Sequence, residues 1–263
     1  MCATCGCDDE ASVRVLGPHG VPAHGVPERG VPEHGHEHPH EHEHDHQTGR
    51  TVVLQQKVLA KNDSLAAANR AWLASQDILA VNLMSSPGAG KTTLLERTAR
   101  EAGAELGLAV IEGDQETTLD AARIEAAGCP VAQINTGAGC HLDASMVARG
   151  LRALGPRPGS LLVIENVGNL VCPALFDLGE AARVVISSVT EGADKPAKYP
   201  QMFRGADLVL LSKVDLLPYL DFDTARHAAD LARISPRTRI LPLSARTGEG
   251  LPAWYEWLRG KAR

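Results

Sequence analysis

The sequence predicts an α/β domain: a mostly parallel sheet of about seven strands flanked by helices, behind a disordered N-terminal tail. Between Ile78 and Leu243 lie seven short β-branched, apolar runs, most of them separated by stretches with helical spacing of apolar residues. Several runs are apolar on successive residues, as strands buried on both faces must be. Residues 1–49 instead hold proline, glycine, cysteine, histidine and acids, with no apolar face on which to build a core. The expected division is a Cys/His-rich tail over 1–49 and one domain over 50–263.

The tail comes first. Cys2, Cys5 and Cys7 open it, and His34, His36, His38, His40, His42, His44 and His46 close it, interleaved with Glu33, Glu37, Glu41, Glu43, Asp45 and Pro39. Thiolates suit soft or borderline metals, and imidazole suits nickel, copper and zinc. Gly20–His24, Gly25–Arg29 and Gly30–His34 are three copies of one pentapeptide. Proline and glycine at that density preclude helix or ladder, so a flexible spacer is expected. Interleaved acids inside a repeat argue against a purification tag and for metal sequestration.

Charge divides the chain in the same place. The first 49 residues carry nine acids and two bases, a net of -7, and the remaining 23 acids and 24 bases leave +1. A near-neutral body excludes a nucleic-acid binder, which would show a basic face. No stretch reaches the apolar length of a membrane span. Without a basic, apolar leader the expected place is the cytoplasm. Three of six cysteines within positions 2 to 7 do not form a secreted disulfide framework.

The body begins with a helix over Thr51–Gln76, where Val52, Leu54, Val58, Leu59, Leu65, Ala68, Trp72 and Leu73 recur at helical spacing. Strands are predicted at Ile78–Met84, Ala109–Ile111, Val131–Ile134, Leu161–Ile164, Val184–Val189, Leu208–Leu211 and Ile240–Leu243. Helices Thr92–Ala102, Thr118–Ala127 and Leu142–Leu154 lie between them. Alternation of this kind implies parallel strands with right-handed crossovers. Ligands in such sheets bind beyond the carboxyl ends of the strands, and every motif below sits at such an end.

Ser85-Ser86-Pro87-Gly88-Ala89-Gly90-Lys91-Thr92 follows one strand and opens one helix, the context a phosphate-binding loop requires. Gly88 and Gly90 let backbone N–H groups turn toward phosphate oxygens at a helix N-terminus. Lys91 would reach the β- and γ-phosphates, and the Thr92 hydroxyl would hold Mg²⁺. Ser85 stands where the first glycine of the general pattern is expected.

Acids follow at two further strand ends. Leu161–Glu165 ends in a carboxylate placed for the Mg²⁺ side, followed by Asn166, Val167 and Gly168, where a switch loop would meet the γ-phosphate. Val110-Ile111-Glu112-Gly113-Asp114 ends another strand. Asp114 is a candidate for the Mg²⁺ shell or for orienting the attacking water, and equally for capping the helix near Thr118. In Leu211-Ser212-Lys213-Val214-Asp215, the Asp215 carboxylate can accept both the N1–H and the exocyclic amine of guanine, while the Lys213 stem lies against the purine. Adenine presents no such donor pair. Ser212 replaces the commoner asparagine, and Ser244-Ala245-Arg246-Thr247-Gly248 resembles the loop that closes over guanine. GTP is therefore expected.

A second metal constellation follows from the same rule. Cys140-His141 lies just past the strand Val131–Ile134, and Cys172 comes seven residues after Glu165. Both should emerge at the nucleotide edge, where two thiolates and an imidazole make a zinc or nickel site. Cys129, before Pro130, reads as packing.

These motifs together resemble the HypB family of hydrogenase nickel-incorporation GTPases. The resemblance rests on Cys2-x-x-Cys5-x-Cys7, the His-rich linker, Ser85–Thr93, Gly139–Leu142, Glu165–Pro173 and Asp194-Lys195-Pro196-x-Lys198-Tyr199-Pro200. Ser85 and Glu165 agree with that family where they depart from the general pattern. The resemblance implies a P-loop NTPase fold of the signal-recognition and MinD-like class, with Lys91, Asp114 and Glu165 in catalysis. It implies nucleotide contacts at Gly88, Ala89, Gly90, Lys91, Thr92, Thr93, Gly168, Lys213, Asp215, Ser244 and Ala245. Cys2, Cys5 and Cys7, with the terminal amine, would bind Ni²⁺, and Cys140, His141 and Cys172 would take Zn²⁺ or Ni²⁺. A homodimer promoted by GTP or metal, a HypA-like nickel/zinc partner and the hydrogenase large subunit are implied with them. Three other readings stay open: a urease-type nickel GTPase, a nickel store and a zinc-homeostasis GTPase.

Overall fold

A computed structural model describes residues 12–16, 47–115 and 117–261. The N-terminal Cys and His runs and the pentapeptide repeat lie outside these residues. Among the described residues eight strands form one sheet: β1 (Ser12–Leu16), β2 (Leu79–Ser85), β3 (Ala109–Asp114), β4 (Val131–Asn135), β5 (Leu161–Glu165), β6 (Ala182–Ser188), β7 (Leu208–Ser212) and β8 (Arg239–Pro242). Their spatial order is β1-β4-β3-β5-β2-β6-β7-β8. β1 pairs antiparallel with β4, and every other pairing is parallel.

Helices cover both faces. α1 (Gln47–Ser75), α2 (Lys91–Leu106), α3 (Leu119–Ala126), α4 (Ala144–Leu154), α5 (Lys195–Lys198), α6 (Pro200–Arg204), α7 (Thr224–Ile234) and α8 (Leu251–Lys261) follow in chain order. Strand side chains alternate between two cores, as the period of a pleated strand requires. Val81, Leu83, Val110 and Val163 pack with Leu94 and Leu95 of α2, Ile124 of α3 and Trp254 of α8. On the other face, Ala80, Ile111 and Ile164 meet Leu73 of α1 and Val147 of α4. Met84, Val185 and Val209 join Phe203 of α6 and Leu231 of α7 on that side. The buried Trp254 donates its Nε1–H to Thr98 Oγ1 at 3.1 Å, which fastens the C-terminal helix to α2. Among the described residues no helix is long and apolar enough to cross a membrane.

All seven expected strands are present, with ends shifted by one to three residues. β3 ends at Asp114 and β5 at Glu165, so both acids stand at the ends of the ladder, where the sequence puts them. The eighth strand departs from expectation. Ser12–Leu16 lies in the stretch expected to be disordered, yet it pairs along its whole length with β4. Val13 and Val15 are β-branched and alternate with polar residues, the pattern of a half-buried edge strand. Val13 packs against the core formed by Ile111, Ile134 and their neighbours. The first helix also starts earlier than its apolar spacing indicates, at Gln47.

Candidate functional site

The carboxyl ends of β2, β3, β4, β5 and β7 share one edge of the sheet, and the candidate residues gather there. β2 ends at Ser85 and α2 starts at Lys91. Gly88 and Gly90 between them have φ of +73° and +103°, a region L side chains rarely adopt. No side chain caps α2 and no acid stands in its first turn. Its first N–H groups are therefore available to an anion. Lys91 is buried and donates to Ser85 Oγ at 3.0 Å. The serine at the first-glycine position thus aligns the phosphate-loop lysine.

Thr92 Oγ1 donates to Glu165 Oε1 at 2.8 Å, which joins the phosphate loop to β5. Burial pushes the Glu165 carboxyl up to about 7, opposed by Lys91 and Thr92. Its Oε2 is buried without a hydrogen-bond partner. In register with it on β3 stands Glu112, which sequence reasoning passed over. Glu112 is buried, its Oε2 also lacks a partner, and burial followed by the charge of Glu165 pushes its carboxyl up to about 9. Residues in register on parallel strands point to one face, so these two carboxylates and the Thr92 hydroxyl form one cluster. Unpartnered buried oxygens beside a hydroxyl fit a hard divalent cation such as Mg²⁺.

Asp114 is engaged locally. Its Oδ1 accepts the Gln115 N–H at 2.7 Å, and its Oδ2 accepts the Thr117 N–H at 3.0 Å and hydroxyl at 2.6 Å. The N-cap position of α3 is Thr118, so Asp114 organises the preceding turn and does not cap the helix. Gln133, in register with Glu112 on β4, hydrogen-bonds it and donates to the Thr117 carbonyl. The buried acid and the Asp114 loop are thereby connected.

Gly168 touches the phosphate loop. A Cβ there would lie 2.9 Å from Pro87 Cα, so only glycine permits this approach. Thr93 Oγ1 accepts from Arg123 Nη2 at 3.3 Å. Ser212 Oγ donates to the carbonyl of the buried Ala89 at 2.8 Å, and Lys213 Nζ to that of Gly88 at 2.7 Å. The expected base-binding segment is thus bonded to the phosphate loop. Asp215 is held below the usual carboxylate range, first by the Ser244 hydroxyl and then by Arg246, whose Nε donates at 2.9 Å. Ser244 Oγ accepts the Thr247 N–H at 3.1 Å, and Arg97 reaches the Ala245 carbonyl at 3.1 Å.

Cys140, His141 and Cys172 come together, with their ligand atoms within 4.8 Å of one another. Cys140 Sγ lies 3.7 Å from His141 Nδ1. That spacing fits thiolate and imidazole around one ion. His141 is buried against Phe176, ring centroids 4.0 Å apart. Burial holds it below its ordinary pKa, toward the neutral form that can donate an electron pair, with Asp143 opposing. Asn166 Oδ1 accepts the Leu142 N–H at 3.0 Å, and Asn169 Nδ2 donates to the Cys140 carbonyl at 3.3 Å. Cys129 is core, its Sγ 3.3 Å from the Leu108 carbonyl. Cys2, Cys5, Cys7 and the seven alternating histidines are outside the described residues.

A family model described as the CobW/HypB/UreG nucleotide-binding domain matches residues 79–242. The hydrogenase maturation factor HypB of Rhizobium leguminosarum bv. viciae is 55% identical over 213 residues, 81% of this chain and 71% of the relative. That of Escherichia coli is 50% identical over 225 residues, 86% of this chain and 78% of the relative. The crystal structure of HypB from Archaeoglobus fulgidus superposes with a TM-score of 0.73 at 42% identity, covering 78% of this chain and 100% of that one. HypB from Helicobacter pylori in complex with nickel gives a TM-score of 0.73 at 39% identity, covering 77% and 95%. With the phosphate loop, its acidic partners and the Cys-His-Cys group at one sheet edge, the chain belongs to the CobW/HypB/UreG family, among the HypB hydrogenase maturation factors.

Proposed function

We propose that the protein is a GTPase that binds Ni²⁺ and delivers it for assembly of the [NiFe]-hydrogenase active site. The observation that carries this is the segment Glu165–Cys172. Its first residue bonds the phosphate-loop threonine and its last joins Cys140 and His141. The relative solved with nickel supports the cargo, and the relatives described as hydrogenase maturation factors support the destination.

In this reading the amides after Gly88, Ala89 and Gly90 cradle the phosphates, and Lys91 neutralises charge that develops on the transferring group. Lys213 and Asp215 hold guanine under Ser244 and Ala245. Thr92, Glu165 and Glu112 are the residues that would hold Mg²⁺, which when bound neutralises charge on the β- and γ-phosphate oxygens. Asp114 orients the attacking water from the loop it organises. Gly168 senses the γ-phosphate through its contact with Pro87, and the chain carries that state four residues on to Cys172. Zn²⁺ can occupy the same thiolates.

Val171 and Leu175, exposed apolar residues flanking Cys172, support a homodimer across this surface. A HypA-like partner and the hydrogenase large subunit complete the reading, which places the protein in the cytoplasm. A urease role is a second reading, favoured by a Helicobacter pylori relative described as a hydrogenase/urease maturation factor, 39% identical over 219 residues.

The test is GTP turnover and Ni²⁺ retention on one preparation. Lys91→Ala should lower turnover by roughly two orders of magnitude, the scale of a lost transition-state contact, and leave Ni²⁺ stoichiometry unchanged. Undiminished turnover would remove the assigned role of Lys91.

A further inference from the structure

Two stretches of chain bring the Cys140–His141–Cys172 group together, and both are fastened to α1 just past their ligands. Asn62 and Asn69 are buried on that helix. They are seven residues apart, about two helical turns, so they share one face. Asparagine is a poor helix former, and a buried amide is costly unless it is hydrogen-bonded. Both amides are aimed at the backbone of the two metal-side segments.

Asn62 Oδ1 accepts the Ala144 N–H at 2.9 Å, and its Nδ2 donates to the Asp177 carbonyl at 2.8 Å. Asn69 Nδ2 donates to the Ala144 carbonyl at 2.8 Å and to the Leu178 carbonyl at 3.0 Å. Ala144 opens α4, three residues after His141. Asp177 follows Phe176, whose ring packs on His141, and stands five residues after Cys172. Each asparagine therefore bridges the segment of Cys140 and His141 to the segment of Cys172.

The surroundings make the same tie. Arg70 Nη2 donates to both Asp177 carboxylate oxygens at 2.7 Å. Gly179, at φ +92°, rests directly on the helix, and a Cβ there would lie 2.7 Å from the Ala66 carbonyl oxygen. Glu180 Oε2 accepts the Leu178 N–H at 2.7 Å, which fixes the same stretch from its other side.

We infer that Asn62 and Asn69 are positioning residues for the metal group. They set the separation of the two segments, and with it the distance between the thiols and the imidazole. This rests on the reading that the group holds Ni²⁺. Holding the ligands in place lowers the cost of ordering them on binding. Loss of such outer partners typically weakens metal binding about 10–100-fold.

Ni²⁺ is titrated into the full-length Cys2/Cys5/Cys7→Ala protein with GDP, and the thiolate-to-nickel charge-transfer absorption is followed. Imidazole alone gives no such band, so the signal reads Cys140 and Cys172. Asn62→Ala and Asn69→Ala, each in that background, should raise the Ni²⁺ dissociation constant at least about tenfold. Leu258→Ala truncates a core side chain of α8 on the opposite face of the sheet and controls for lost stability. Its constant should stay within about twofold of the parent's, as for a distant, independent site. An unchanged constant in either asparagine variant, or an equal rise in Leu258→Ala, overturns the positioning role. If the asparagine variants do not fold, Arg70→Ala at the surface carries the test. It removes the ion pair from α1 to Asp177 and should raise the constant about threefold; no rise there overturns the proposal. Cys140→Ala/Cys172→Ala should abolish the band. A band that persists in that variant, or is missing from the parent, removes the Ni²⁺ reading itself, an outcome distinct from unchanged asparagine variants.

Discussion

Asn166 Oδ1 accepts the backbone N–H of Leu142 at 3.0 Å, tying the strand end that carries Glu165 to the loop that carries Cys140 and His141. The same oxygen accepts the N–H of Val167 at 3.0 Å, the first residue of the segment leading to Gly168 and Cys172. One buried side chain thus holds the segment beyond Glu165 and the loop carrying Cys140 and His141 in a common arrangement. Asn166→Ala leaves the buried Leu142 N–H without its acceptor, at about 1–3 kcal/mol of stability. Its Ni²⁺ affinity should lose most of its dependence on bound nucleotide, read by titration with GDP and with a non-hydrolysable GTP analogue. Asn166→Asp, which keeps an acceptor, should retain more of that dependence.

Glu112→Gln tests the acid that the strands bury beside Glu165. The Glu112 carboxyl stands at about 9 in the fold against an ordinary value near 4.5. The folded state therefore holds an extra proton between those values, and stability falls as pH rises through that window. The limit is about 1.4 kcal/mol per pH unit for one proton. Urea unfolding in EDTA from pH 6 to 9 should show a shallower decline for Glu112→Gln than for wild type. The same variant should need several-fold more Mg²⁺ for half-maximal GTP turnover.

Asp215→Ala should weaken GTP binding by roughly 100-fold or more, since two hydrogen bonds to a charged group contribute about 1.5–3 kcal/mol each. ATP binding should change little. Competition between GTP and ATP for the variant reads both at once.

Gly168→Ala places a methyl group against the Pro87 backbone, 2.9 Å from its Cα. GTP turnover should drop at least about tenfold while the thermal midpoint stays within a few degrees, because a loop can move aside where a core cannot. Single-turnover hydrolysis with a parallel melting curve checks it.

The parts of the site that the sequence discloses are those whose spacing is local. Lys91 and Thr92 follow directly from a strand–loop–helix signal, and Glu165 from a strand that ends in an acid. Cys140 and Cys172 are 32 residues apart, yet the strand-end rule already places both at one edge. Glu112 was hidden because its burial comes from β3 lying between β4 and β5, a pairing that no sequence window contains. Ser85 read as a departure from a glycine pattern until the fold brought its hydroxyl to Lys91. β1 was missed because five alternating residues next to a Pro/Gly-rich repeat carry too little signal, and only the open edge of β4 gives them a partner.

In the proposed function, nucleotide state sets metal affinity at Cys140, His141 and Cys172. The direct measurement is Ni²⁺ titration of the full-length Cys2/Cys5/Cys7→Ala protein with GDP and with a non-hydrolysable GTP analogue, under native mass spectrometry. One Ni²⁺ should bind, with a dissociation constant that differs at least about tenfold between the two nucleotides, a coupling of about 1.4 kcal/mol. Cys140→Ala/Cys172→Ala in the same background should abolish that binding. Equal affinity in the two nucleotide states would contradict the claim.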